Sequence, residues 1–131
     1  MKADQVALFL RFAVVGGIGF IVDGGLLWIL LTYGVNIYLA RIFSFPMAVI
    51  STWWFNRIWT FSSARKVSPG RQLNFYLAVQ ITGALSNYLI YILIVQALGT
   101  DRLTAIIGFV LGSFVGMFIN FSGAQRVVFR Q

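Results

Sequence analysis

The sequence predicts an all-α integral membrane protein with four transmembrane helices arranged as two repeated helical hairpins. Three observations carry this. Of 131 residues, 60% are hydrophobic and 10% are charged, with a mean hydropathy of +0.87. A soluble domain of this size cannot bury so much apolar surface. The apolar residues fall in four runs of about 20 residues or more, the length that crosses a bilayer. A pattern of small and polar residues in the second run returns 64 residues later in the fourth.

Residues 1–8 are a short polar start, and residues 9–33 form the first run. That run is too long for a signal peptide, and no small-residue cleavage site follows it. Residues 34–38 read as a tight turn, and the second span runs over residues 39–58 with Pro46 inside it. Proline in a spanning helix is tolerated but tends to kink it. Residues 62–72 are the one clear hydrophilic loop, and they separate repeat halves of about 9–61 and 73–129. The third span covers 73–98, a second turn 99–102, the fourth span 103–123, and a short basic tail 125–131. Short loops predict one compact antiparallel bundle, a single transmembrane domain over 1–131.

The repeat is read without a gap. Ser44, Ala48, Thr52 and Asn56 stand four apart, and Gly108, Gly112, Gly116 and Asn120 follow at the same spacing. Upstream, Gly16, Gly19 and Asp23 align with Gln80, Gly83 and Asn87. Four-residue spacing puts each set on one helix face. Small residues there let two backbones approach, so Gly16, Gly19, Ala48, Thr52, Gly83, Gly108, Gly112 and Gly116 are the expected packing positions. Internal repeats of this sort are common in transporters.

The residue inventory excludes much chemistry. There is no Cys, no His and no Glu, and the three acidic residues are Asp4, Asp23 and Asp101. Thiol catalysis, disulfides and the usual metal or haem sites are excluded, and two carboxylates could hardly converge. No nucleophile–base pair is available, so the expectation is a protein that is not an enzyme and holds no cofactor. The net charge of +7 fits a cytoplasmic membrane face and anionic lipid or phosphate better than nucleic acid. Lys2, Arg11, Arg57, Arg65, Lys66, Arg71, Arg126 and Arg130 fall on the side of the termini and central loop, against Arg41 and Arg102 on the other. That asymmetry predicts both termini in the cytoplasm.

Asp23 lies 12 residues beyond Arg11, about 18 Å along a helix at ~1.5 Å per residue. A carboxyl at that depth is costly and points to function. Phe12, Gly16, Gly19 and Asp23 share one face, and Gln80, Gly83, Asn87 and Tyr91 share the matching face of the third helix. With Asn56 and Asn120 these give an expected polar intramembrane site of Asp23, Asn56, Gln80, Asn87 and Asn120. The alternative is that these groups bond across helices and only hold the bundle. Arg11 and Arg57, embedded in apolar sequence, are candidate phosphate ligands, because the guanidinium fork matches phosphate oxygens. Their alternative is snorkelling to lipid headgroups, the reading given to Arg126. Trp53, Trp54, Trp59 and Phe61 read as an interfacial belt.

Several of these residues carry a resemblance. Arg11-Phe12 followed by Val15-Gly16, the deep Asp23, the run Asn56-Arg57-x-Trp59-Thr60-Phe61, and the segment 74–83 after the basic loop resemble the GtrA family of small four-span membrane proteins. The likeness covers nearly the whole chain and is weaker near the end, where the aromatic-rich motif appears only as Gln125 to Phe129. The resemblance implies movement of a polyprenyl-phosphate-linked sugar, such as undecaprenyl-phosphate glucose, to the outer leaflet for cell-surface polysaccharide synthesis. It implies a bacterial or archaeal cytoplasmic (inner) membrane, membrane lipids as surroundings and a polyprenyl-phosphate glycosyltransferase as a partner. On this reading Arg11 and Arg57 take the phosphate, the polar groups face the sugar and the prenyl tail stays in lipid. A homodimer through the small-residue ridges is expected, since four helices enclose little volume. Rival readings are a non-transporting recruiter of such a glycosyltransferase and a small proton-coupled drug exporter. The fixed orientation and the arginines disfavour the exporter.

Overall fold

The computed structural model describes residues 3–64 and 68–130. Lys2, Arg65 and Lys66, and the side chain of Arg102, all counted in the charge asymmetry, lie outside the described residues. The described chain is helical, with no strand. Helix α1 spans Ala3–Thr32, α2 Ile37–Phe55, α3 Pro69–Leu98 and α4 Arg102–Gly123. α2 runs on into a π-helical turn, Asn56–Thr60, and then a short 3-10 turn, Ser62–Ala64. α4 runs on into a second π-helical turn, Ala124–Val128. Most of the short basic tail expected over 125–131 thus continues α4 as this π-helical turn.

Among the described residues, three stretches are long and apolar enough to cross a membrane: Ala3–Thr32, Pro69–Leu98 and Leu103–Val128. α2, expected as the second span, is not among them. It has 19 residues, carries Arg41 near its start and passes at once into Asn56 and Arg57. α1 and α3 both begin earlier than expected. Pro69 opens α3, where its missing N–H would have lacked a helical partner in any case.

The ends of the helices follow from local chemistry. At the end of α1 the Val35 N–H donates to the Leu30 carbonyl and the Gly34 N–H to the Leu31 carbonyl, both at 3.0 Å. This closing pattern needs a left-handed residue, and Gly34 supplies it at φ 78°. Asp101 caps α4, accepting from the Thr104 N–H at 3.1 Å and the Thr104 hydroxyl at 2.6 Å. Those bonds to the ionised form hold the Asp101 carboxyl below its ordinary range, the Thr104 hydroxyl contributing most.

The chain divides into two compact units, one up to Pro69 and one from Gly70 to Arg130. In the first, α1 packs against α2 as an antiparallel hairpin. Val15, Gly19, Ala40, Ser44, Ala48 and Thr52 are buried along the seam. A Cβ on Gly19 would collide with the Thr52 methyl group, so glycine is what allows this approach. Gly16, expected as a packing position, is different: a Cβ there meets nothing within 4 Å.

In the second unit, α3 and α4 approach more closely. A Cβ on Gly116 would lie 2.8 Å from the Gly83 carbonyl oxygen, and one on Gly112 2.5 Å from the Asn87 carbonyl oxygen. A Cβ on Gly108 would lie 3.2 Å from the Tyr91 ring and 3.4 Å from the Tyr91 carbonyl oxygen. Outward faces in both units are apolar: Phe20 and Trp28 on α1, Leu85 and Leu89 on α3, and Phe109 and Phe114 on α4 are exposed.

Comparing the units corrects the gapless register. Gly19 meets Thr52, whereas Gly83 meets Asn120. Phe12 makes an edge-to-face pair with Phe61 at 6.4 Å, and Tyr76 one with Phe129 at 6.0 Å. The first helices correspond at 64 residues, as Phe12 to Tyr76. The second helices correspond at 68, as Phe61 to Phe129. α4, at 22 residues, is longer than α2, at 19, by nearly one turn. Asn120 thus holds the place of Thr52, and Ala124 that of Asn56. A shift of four keeps the same helix face, which is why the sequence pattern disguises it.

Candidate functional site

The charged and polar groups of the first unit gather at two separate places. One is the π-helical turn after α2. Its closing bond runs from the Phe61 N–H to the Asn56 carbonyl at 2.7 Å. The turn folds back on α1, where Phe61 packs against Phe12. Asn56, Arg57, Thr60 and Phe61 are all buried there. Arg57 is only 9% exposed, with its guanidinium carbon 5.9 Å from the Trp53 ring centroid. Arg11 stands exposed, with its guanidinium carbon 5.9 Å from the Trp59 ring. Both arginines are thus ordered by aromatic faces, a contact worth about 0.5–2 kcal/mol depending on desolvation. The Thr60 hydroxyl is buried and makes no hydrogen bond among the described residues. A cation and an orphaned hydroxyl in one buried turn are suited to an anion with several acceptor oxygens.

The other place is Asp23. Arg41 donates from Nη1 to both carboxylate oxygens at 2.8 Å. An antiparallel hairpin requires this kind of meeting: late α1 faces early α2. Asp23 and Asn56, expected in one site, are therefore apart. Arg41 precedes Asn56 by 15 residues, about 22 Å along α2 at ~1.5 Å per residue. Arg41 escaped the sequence reading because it stands 18 residues from Asp23 across a turn, and no periodicity links the two.

In the second unit, Asn87 and Asn120 lie on the α3–α4 seam against Gly112 and Gly83. Asn120 Oδ1 is buried there without a hydrogen bond among the described residues. Gln80 is half-buried on α3. Gln72 is fully buried, with Nε2 donating to the Val128 carbonyl at 3.4 Å, and ties α3 to the end of the second π-helical turn. Its spacing to Tyr76 and Gly83, also buried, was the available signal for it. An open apolar groove of about 600 Å³ runs on α4, lined by Phe114, Phe118, Ile119 and Val127, with Arg126 in its wall. Among the described residues no cluster of potential metal ligands occurs.

Long apolar helices, seams of small residues and a buried arginine just past the end of α2 define a multi-pass helical membrane domain. The chain belongs to the GtrA/DPMS transmembrane domain family, whose model matches residues 11–129. It is similar to a dolichol-phosphate mannosyltransferase of Pyrococcus furiosus, with 31% identity over 118 residues. That match takes 88% of this chain but 33% of the relative, so the chain spans about a third of that protein's length. It is also similar to the uncharacterized membrane protein YngA of Bacillus subtilis, 29% identical over 126 residues, covering 96% of this chain and 82% of YngA.

Proposed function

We propose that this protein moves a polyprenyl-phosphate-linked sugar, such as undecaprenyl-phosphate glucose, from the cytoplasmic to the outer leaflet. The observation that carries this reading is the buried Arg57 beside the orphaned Thr60 hydroxyl, in a chain of the GtrA/DPMS family. The name of the Pyrococcus relative supports a lipid-phosphate sugar as the ligand class. Arg57, with Arg11 near the surface, takes the single charge of the phosphodiester. α2 and its π-helical turn act as a fourth span, giving a 2+2 arrangement with both termini in the cytoplasm. The two units make up one protomer, and two protomers form a homodimeric carrier in a bacterial or archaeal inner membrane. The α4 groove offers the prenyl tail an apolar track while the tail stays in lipid. No bond is made or broken in this role, so the protein acts as a carrier and not as an enzyme.

The test is leaflet transfer in proteoliposomes, followed with a reagent that cannot cross the membrane. Fast transfer that is lost in Arg57→Ala, in protein shown to be folded, supports the reading. Transfer no faster than in empty vesicles overturns it. One observation favours a second reading. The chain matches about a third of a mannosyltransferase, as a membrane portion accompanying an enzyme would. On that reading the protein recruits a polyprenyl-phosphate glycosyltransferase, and co-purification of one without any transfer activity would establish it.

A further inference from the structure

We propose that Arg41, held at one nitrogen by Asp23, is a second anion site that receives the phosphodiester headgroup at the opposite end of the first hairpin from Arg57. The inference rests on the proposed function for the nature of its ligand. Its geometry is independent of it. A guanidinium carries five N–H donors. Asp23 engages only Nη1, which reaches both carboxylate oxygens. Nε and Nη2 meet no acceptor among the described residues. These two nitrogens form the edge that fits two oxygens of a carboxylate or phosphate side by side.

The exposures agree with that division. The Arg41 side chain is 48% exposed and that of Asp23 23%. The carboxylate is held in, and the free edge of the guanidinium is open. Arg41 lies 16 residues before Arg57, about 24 Å along α2 at ~1.5 Å per residue. One hairpin therefore carries a cation toward each end of its second helix.

Asp23 gives this site its character. A bare guanidinium at low dielectric would hold a phosphate strongly, and a carrier has to let go. The adjacent carboxylate cancels the charge while leaving the hydrogen-bonding edge in place. Arg41 then orients the headgroup without trapping it, which makes Asp23 a tuning group and Arg41 the ligand.

The experiment measures binding of a short-chain prenyl-phosphate glucose to the full chain in a phosphate-free maltoside detergent. An Arg57→Ala background isolates the second site. There, Arg41→Ala is expected to abolish binding, Arg41→Lys to weaken it about tenfold through loss of the fork, and Asp23→Asn to tighten it severalfold. If Asp23→Asn weakens binding as much as Arg41→Ala, the pair is only a strut and the inference fails. If Arg57→Ala alone removes all binding, this inference fails and the proposed function stands. If the wild type binds nothing, the proposed function fails. Inorganic phosphate that competes as well as the lipid would assign a soluble anion and overturn the headgroup reading. Competition by phosphatidylglycerol alone keeps the shared phosphodiester chemistry. To guard against misfolded variants, the ¹⁵N resonance of Arg41 Nε in the Arg57→Ala protein is followed during addition of the probe. A shift supports the site, and a stationary signal overturns it.

Discussion

The two hairpins solve one packing problem by opposite means. The first fills its seam with Ala40, Ser44, Ala48 and Thr52, and it holds an ion pair and a buried arginine. The second strips its seam to Gly108, Gly112 and Gly116 and brings backbone onto backbone. At the place of Asp23 it has Asn87, and at the place of Asn56 it has Ala124. Small side chains leave room between helices for polar groups and their partners. Bare glycines bring helices so close that dispersion and weak Cα–H contacts dominate. The difference separates the two seams: the first hairpin holds the ion pair and the buried arginine, and the second packs backbone against backbone.

The largest expected effect tests the chemical side of that contrast. Arg57→Ala should weaken binding of a prenyl-phosphate sugar by about 10–100-fold, the range of one charge-assisted contact. Arg126→Ala, in the corresponding region of the second hairpin, should change it little. Equal losses in both, measured by titration in detergent, would erase the asymmetry. The structural side comes next. Gly116→Val should destabilise the protein by roughly 1–3 kcal/mol, because the Gly83 carbonyl backbone cannot give way. Gly16→Ala should cost nothing and, by helix propensity, can add about 0.5–1 kcal/mol. Thermal unfolding in detergent compares the two.

The smallest effect concerns Asp101. Its carboxyl is held below the ordinary aspartate value of 3.8, so its folded form is favoured when ionised. The contribution is fully present above that value and is lost as pH falls through the lower folded value. Acid unfolding of the wild type should thus show a step below about pH 4 that Asp101→Asn lacks.

Much of this was legible in the sequence. The apolar runs announced helices, and the four-residue ladders placed Ala48, Thr52, Gly112 and Gly116 on the seams. The turns read at 34–38 and 99–102 contain Gly34, which closes α1, and Asp101, which caps α4. The site was less legible, for three physical reasons. Asp23 and Arg41 meet because of the turn between their helices, and a turn's geometry leaves no periodic trace. The extra turn in the second hairpin moved Asn120 by four residues, which preserves its face and so its pattern. Only the closing aromatics, Phe61 and Phe129, betrayed the true spacing. Finally, a π-helical turn has no residue signature of its own, so the burial of Arg57 and Thr60 could not be read from the apolar run around them.

That turn sets how the protein tolerates change in length. Its bond from Phe61 to Asn56 encloses one residue more than an ordinary helical bond would. Deleting a single residue between 56 and 60 would restore the ordinary bond and swing everything beyond it by about 100° around the axis. Phe61 would leave Phe12, and the chain entering the central loop would point elsewhere. Point substitutions around Arg57 alter a side chain. A one-residue deletion there re-aims the connection between the two halves, so among relatives this segment should keep its length.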